Sequence, residues 1–260
     1  MQKQGTMSEQ IITAAILIIG DEILSGKTQD TNTTYIAKTV AEKGIDILEV
    51  RIIKDDEAAI IFAVNDLRPK YTYLFTTGGI GGTHDDITIP SIAKALNLPL
   101  VKNTQARQII EVHYGTPLNA HLLSMAFMPK GAQLIQNTLS QVPSFYIDNI
   151  YVLAGMPSVM KVMLDDIMPK LKSGAKVHSN ALTSSALESM ISEDLANIQS
   201  AFTNVSIGSY PFYDEIKKGT TLVLRSRDTE ALKQATQKVL TLLHTLQCVP
   251  TTNFDIPTES

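Results

Sequence analysis

The sequence predicts an α/β domain followed by a small α+β lobe, with boundaries at 11–174 and 175–250. Three observations predict it. Short apolar runs alternate with stretches of helical period as far as residue 172, the pattern of strands joined by helices. The first run, "ITAAILII" at 12–19, is almost wholly apolar, as expected of a parallel strand covered on both faces. After "KSGAK" at 172–176 the order changes to strand, helix, strand, strand, helix.

Beyond the first strand, "TNTTYIAKTVAEKG" (31–44) places Ile36, Ala37, Val40 and Ala41 on one helical face, with Gly44 as the stop. "IDILEVRII" (45–53) is the next strand. "DDEAAIIFAVNDLRP" (55–69) opens with acids suited to a helix N-terminus and stops at Pro69. "YTYLFTT" (71–77) is a third strand. Helices are expected near 88–97 and 103–128, the second interrupted around Pro117, and strands at 132–137 and 147–155. In the helix at 157–172, Met160, Met163, Leu164, Ile167 and Met168 recur at helical spacing and read as a core stripe. The lobe follows with "HSNALTSSAL", "ESMISEDLANIQSAF", "VSIGSYPF", "TTLVLRSR" and "DTEALKQATQKVLTLLHTL".

The 260 residues, 44% hydrophobic and 18% charged, suffice for a large core without staples. A net charge of -4 argues against a nucleic-acid groove. The single Cys248 allows no internal disulfide and reads as a small packed residue in a reducing compartment. "IITAAILIIG" is too short to span a bilayer, so no membrane partner is expected and a cytoplasmic protein is. Residues 1–10 are polar and expected to fray.

If the strands at 12–19, 71–77 and 150–154 are parallel, their C-terminal ends share one sheet edge, where ligands of open α/β sheets bind. Each end carries an unusual loop: "GDEILSGKTQDTN" (20–32), "GGIGGTHDD" (78–86) and "AGMPSVM" (154–160). Gly78, Gly79, Gly81 and Gly82 can take positive φ and let a ligand approach the backbone, and amides in such a turn before a helix cradle anions. Thr83 and Thr88 add hydroxyl donors. Asp85 and Asp86 suit that setting if a divalent cation bridges carboxylate and phosphate, as magnesium does. A mobile turn whose aspartates cap the next helix fits the same residues. The first loop repeats the theme with Gly20, Ser25, Gly26, Asp30 and Asn32, of which Asp30 or Asn32 also reads as an N-cap. His84 has no partner and is left out of the site; the other histidines lack metal-ligand spacing.

"IGDEILSGKTQDTNTTYIAKTVAEKGI" with "TTGGIGGTHDDIT" resembles the molybdopterin-binding domain of the MoaB/Mog superfamily, and within it the competence/damage-inducible protein A (CinA) type. "MPKGAQLIQN" and "VLAGMPSVM" resemble further CinA blocks, and 178–248 resembles the small domain that follows. Gly78, Gly79, Gly81, Asp86 and Thr88 match the family's phosphate-and-cofactor loop, Asp85 the extra acid of the CinA branch, Asp30 and Asn32 the first loop, and Gly155 and Pro157 the third. The resemblance implies a three-layer α/β/α fold that often forms homo-oligomers. The chain departs from the family pattern at Gly82, where many members carry proline; at Val142 and Ser144, where alanine and glycine are usual; and at Val159, where glutamate is common. No deamidase domain of the longer CinA proteins follows, so that activity is not expected.

Relatives of this kind either adenylylate molybdopterin or hydrolyse pyrophosphate bonds in ADP-ribose or FAD with a divalent metal. The resemblance therefore implies a nucleotide pyrophosphatase using magnesium, manganese or cobalt. Asp86 and Asp85 would hold the metal and Asp30 would act as base. Molybdopterin binding or adenylylation, and binding of a nucleotide or pterin phosphate without turnover, are the alternatives.

Overall fold

The structure, a computed structural model, describes residues 11–140, 142–213 and 218–256; the segment 1–10, expected to fray, lies outside them. The chain divides into two compact units, 1–175 and 176–260.

The first unit opens with β1 (Ile12–Ile19), α1 (Asp21–Leu24), α2 (Asn32–Ala41), β2 (Ile45–Ile53), α3 (Glu57–Leu67), β3 (Tyr73–Thr77) and α4 (Thr88–Ala95). There follow β4 (Leu100–Lys102), α5 (Thr104–Tyr114), α6 (Ala120–Ser124), β5 (Phe127–Pro129), β6 (Gln133–Ile135), β7 (Ser144–Ile147), β8 (Ile150–Leu153) and α7 (Pro157–Ile167). The six-stranded sheet has the order β2-β1-β3-β8-β7-β6. Its first four strands are parallel, as expected, and β7 and β6 extend it antiparallel.

The path through this sheet decides where a crevice forms. From β1 the chain steps outward to β2, then crosses back over β1 to β3. Right-handed crossovers put α2 and α3 on opposite faces, with α7 packed beside α2 and α4 beside α3. The result is a three-layer α/β/α domain. Because β1 feeds β2 on one side and β3 leads to β8 on the other, the connections diverge between β1 and β3, and there the loops part.

Coverage on both faces explains the apolar first strand: Ala14 to Ile19 are all buried. Phe75 is wholly buried, its ring centroid 5.7 Å from that of Tyr151. The methionine stripe is core, with Met160, Met163, Leu164 and Ile167 fully buried; α7 ends at Ile167 and gives way to a 3-10 turn at Met168–Lys170.

Besides the one-turn α1 inside the expected first loop, two segments of the first unit differ from the sequence reading. The single strand expected at 147–155 is a hairpin, β7 and β8 pairing Ile147 with Ile150 across an Asp148-Asn149 turn in which Asp148 has φ 51°. Asp tolerates that left-handed conformation better than most residues, so the signal was present but short. The expected helix at 103–128 is two, each with its own cap. Asn103 accepts from the Ala106 amide and Asn119 from the Leu122 amide, both at 2.9 Å. The flanking residues form the small β4–β5 sheet.

The second unit comprises β9 (His178–Ser184), α8 (Glu188–Ala201), β10 (Ser206–Tyr213), β11 (Lys218–Ser226), α9 (Thr229–Thr245) and β12 (Thr251–Phe254). Its antiparallel sheet has the order β10-β11-β9-β12, so it includes a strand beyond residue 250. Leu182, Leu222, Leu224, Leu232, Val239 and Leu243 form a separate core, against which Cys248 packs partly buried. Among the described residues no helix is long and apolar enough to cross a membrane.

Phe75→Ala should remove about 3–5 kcal/mol of stability, read from the urea midpoint, because the aromatic layer cannot collapse around the void.

Candidate functional site

Three loops leave the C-terminal ends of β1, β3 and β8, and their backbones meet. Gly78 has φ 103°, and a Cβ there would overlap the Ile19 carbonyl oxygen. A Cβ on Gly155 would stand 3.3 Å from the Gly78 α-carbon. Asn32, 7% exposed at the start of α2, locks this arrangement: its Nδ2 donates to the Gly155 carbonyl at 2.8 Å, tying the first loop to the third. A cavity of about 50 Å³ lies between them, lined by Glu22, Thr28, Asp30, Asn32, Gly78 and Gly155 among others, with Pro157 at its rim.

Asp30 faces this cavity and also caps α2, its Oδ1 accepting from the amides of Asn32 at 2.9 Å and Thr33 at 3.2 Å. Pro157 opens α7, whose N-terminus has no side-chain cap and no acidic residue in its first turn. Val159 is buried in the core.

The glycine-rich loop divides into two parts. Gly79 has φ 62° and lies against Thr88, whose amide donates to the Gly79 carbonyl at 3.1 Å. Thr88 is fully buried beneath the loop, and its hydroxyl would collide with any Cβ on Gly79. It supports the loop from below. Gly81 and Gly82, expected to share the positive φ, do not; they are small because Asp86 Oδ2 stands 2.6 Å, and Met125 Sδ 2.9 Å, from where their Cβ atoms would be.

Beyond them Thr83 gathers the two acids. Its amide donates to Asp86 Oδ2 at 2.8 Å, and its hydroxyl lies 2.6 Å from Asp85 Oδ1 and in hydrogen-bond contact with Asp86 Oδ2. The Thr83 hydroxyl, with Asp85's own amide, holds the Asp85 carboxyl below the usual carboxylate range. His84 points to solvent. Gly20 is buried at the end of β1, whereas Ser25 and Gly26 sit in an exposed turn and do not line the cavity.

Sequence reasoning missed Asp55. It was absorbed into the acids expected at the start of α3, but only Asp56 caps that helix, accepting from Ala59 at 2.9 Å. Asp55 turns to the first loop, where its Oδ2 accepts the Asp21 amide at 3.0 Å. Burial raises its pKa, and the charges of Asp21, Glu22 and Asp85 push the same way. Asp55 is therefore the meeting point of an acidic rim shared by the first and second loops. The adjacent "DD" pair, placed at a strand end, was the available signal.

Among the described residues no group of three or more His, Cys, Asp or Glu side chains is gathered to hold a metal ion. Asp85 and Asp86 fit a hydrated ion that takes its remaining oxygens from water and a phosphate, and do not fit a closed, all-protein cage.

Residues 15–173 match the profile described as a probable molybdopterin binding domain. The chain belongs to the molybdopterin-binding-domain family, in its CinA type. A protein of Pyrococcus furiosus is 31% identical over 86% of this chain and 94% of its own length. A CinA structure from Thermoplasma acidophilum, described as of unknown function, superimposes with a TM-score of 0.59 at 26% identity, over 61% of this chain and 96% of that one. Residues 176–252 match the middle domain of FAD synthase. A probable FAD synthase of Caenorhabditis elegans is 28% identical over 89% of this CinA-type chain, which spans 50% of that enzyme's length. Both matches support a nucleotide-related role.

A carboxyl whose folded pKa is raised opposes folding once pH exceeds that value, and the penalty fades as pH falls towards the unfolded pKa near 4. With chelator present, Asp55→Asn should raise the thermal midpoint at pH 7, and the gain should shrink as the pH approaches 4.

Proposed function

We propose that the crevice between the ends of β1 and β3 holds the diphosphate of a nucleotide and that the chain hydrolyses it with a divalent metal. The observation that carries this reading is a crevice at the switch point, where Gly78 and Gly155 bring bare main chain to the wall, with the acid-free N-terminus of α7 beside it. A helix N-terminus favours phosphate oxygens, and buried Val159 places no negative charge in the first turn of α7. The match to the FAD synthase middle domain supports a nucleotide ligand.

Asp85 and Asp86 would hold a magnesium, manganese or cobalt ion, which when bound neutralises charge on the phosphate oxygens. Thr83 keeps the two carboxylates together, and the Asp85 environment keeps its carboxyl ionised. In the reaction a water oxygen attacks one phosphorus, the bridging P–O bond breaks and two monophosphates leave: AMP with ribose 5-phosphate from ADP-ribose, or AMP with FMN from FAD. Asp30 would accept the water proton. The Asn32 and Thr33 amides orient it through Oδ1, which would leave Oδ2 for the transfer.

The match of 15–173 to a molybdopterin-binding profile favours a second reading, in which the crevice binds a pterin phosphate with or without adenylyl transfer. The two readings separate in one panel. Hydrolysis of ADP-ribose and FAD, assayed with each metal, should be present in the parent and fall about 100-fold or more in Asp86→Asn, which keeps an acceptor for the Thr83 amide. Undiminished turnover by a folded Asp86→Asn protein removes the metal role. Silence across the panel with molybdopterin binding by titration selects the second reading. Gly79→Val should abolish binding under either, since its Cβ meets Thr88 and its φ is unsuited to a branched residue.

A further inference from the structure

Helices α2 and α7 pack against each other, and both begin at the crevice. Asn32 in the first turn of α2 and Pro157 in the first turn of α7 line its cavity. Residues three or four further along share those faces. Helical side chains lean towards the N-terminus of their helix. Tyr35, three residues after Asn32, and Lys161, four after Pro157, therefore tilt back over the first turns. There they meet, with Lys161 Nζ 4.7 Å from the centroid of the Tyr35 ring. The ring is partly buried against the core, whereas Lys161 is exposed. Tyr35 thus fixes the end of a long side chain at the mouth of the crevice.

Two observations give that ammonium a task. Lys54, Lys70, Lys94 and Lys170 each hold a carboxylate, but among the described residues Lys161 forms no salt bridge. The cavity itself is lined by Glu22 and Asp30 and by no lysine or arginine, so Lys161 is the cation placed to meet an anion entering there. Independently, Asn32 Oδ1 is buried without a hydrogen-bond partner, while Asn32 Nδ2 is engaged by Gly155. Buried polar atoms are nearly always bonded, and an unmade bond on the cavity wall marks a place that a ligand's donor completes.

We propose, resting on the reading that this crevice takes a diphosphate, that Lys161 is its phosphate-binding cation and that Tyr35 holds it in position. An ammonium on a ring face keeps donors free for a phosphate oxygen. A charge-assisted bond to phosphate is stronger than an exposed contact with a ring, so the ligand draws the ammonium to itself. Lysine is a compact charge on a flexible stem, suited to following the charge that gathers on the leaving phosphate as the bridging bond breaks. The arrangement also orients the ligand: its phosphates lie towards α7, and a hydroxyl or amine donor lies towards Asn32.

Pyrophosphate and ADP-ribose, titrated by calorimetry in the presence of magnesium, are the probes, and the parent should bind both. Lys161→Met should weaken each about tenfold or more, with circular dichroism and melting unchanged because the side chain is exposed. Lys161→Arg should restore most of the affinity, and Lys38→Met, in the last turn of α2, should leave it alone. Tyr35→Leu should cost about threefold in the parent and nothing further beside Lys161→Met, since the ring acts through the ammonium. Limited acetylation read by mass spectrometry should label Lys161 less, and Lys38 equally, when pyrophosphate is added. A parent that binds neither probe overturns the diphosphate crevice and Lys161 with it. A parent that binds both, with Lys161→Met equally tight or Lys161 labelled equally, overturns the role of Lys161 alone.

Discussion

Gly78 stands where three parallel strands end, with its α-carbon against the Ile19 carbonyl on one side and the Gly155 backbone on the other. Much of the candidate site is arranged around that approach. It holds the loop after β3 close to the loop after β8, and the Asn32–Gly155 hydrogen bond brings the start of α2 into the same contact. Where Gly78 and Gly155 face each other the wall of the crevice is main chain, and the Gly78 amide is itself held by the Leu153 carbonyl at 3.3 Å. Gly79, resting on the buried Thr88, continues the same economy of volume one residue further.

The sheet was legible because its strands are short, apolar and separated by helical periods: β1 and β2 fall on the residues that the pattern marks. The missing pieces share a different cause. The β7–β8 hairpin turns on two residues, too few to interrupt a run of apolar side chains, and β4 and β5 are three-residue strands specified by pairing with each other. Local sequence carries caps such as Asn103 and Asn119, but not the partner that makes a three-residue segment a strand.

At the candidate site, residue type was readable and role was not. Asn32 and Thr88 belong to recognisable motifs, yet the structure gives one the task of joining loops and the other that of supporting a glycine from beneath. Asp30 combines both possibilities read from the sequence, capping α2 while facing the cavity. Asp55 went unread because a run of acids before a helix has an adequate local explanation. Its carboxylate instead reaches 34 residues back along the chain to Asp21, a contact created only when β2 lies beside β1.

The last strand bears on how this protein is handled. β12 pairs with β9 along Thr251–Phe254, and the Ile256 carbonyl accepts from Asn180, a buried side chain at the heart of the second unit. Trimming the chain at residue 250 as though a tail began there would strip one margin from a four-stranded sheet. It would leave β9 with raw backbone facing water and Asn180 deprived of a bond. Expression vectors and proteolytic maps should treat the stretch to Ile256 as part of the folded body, and an affinity handle belongs after it.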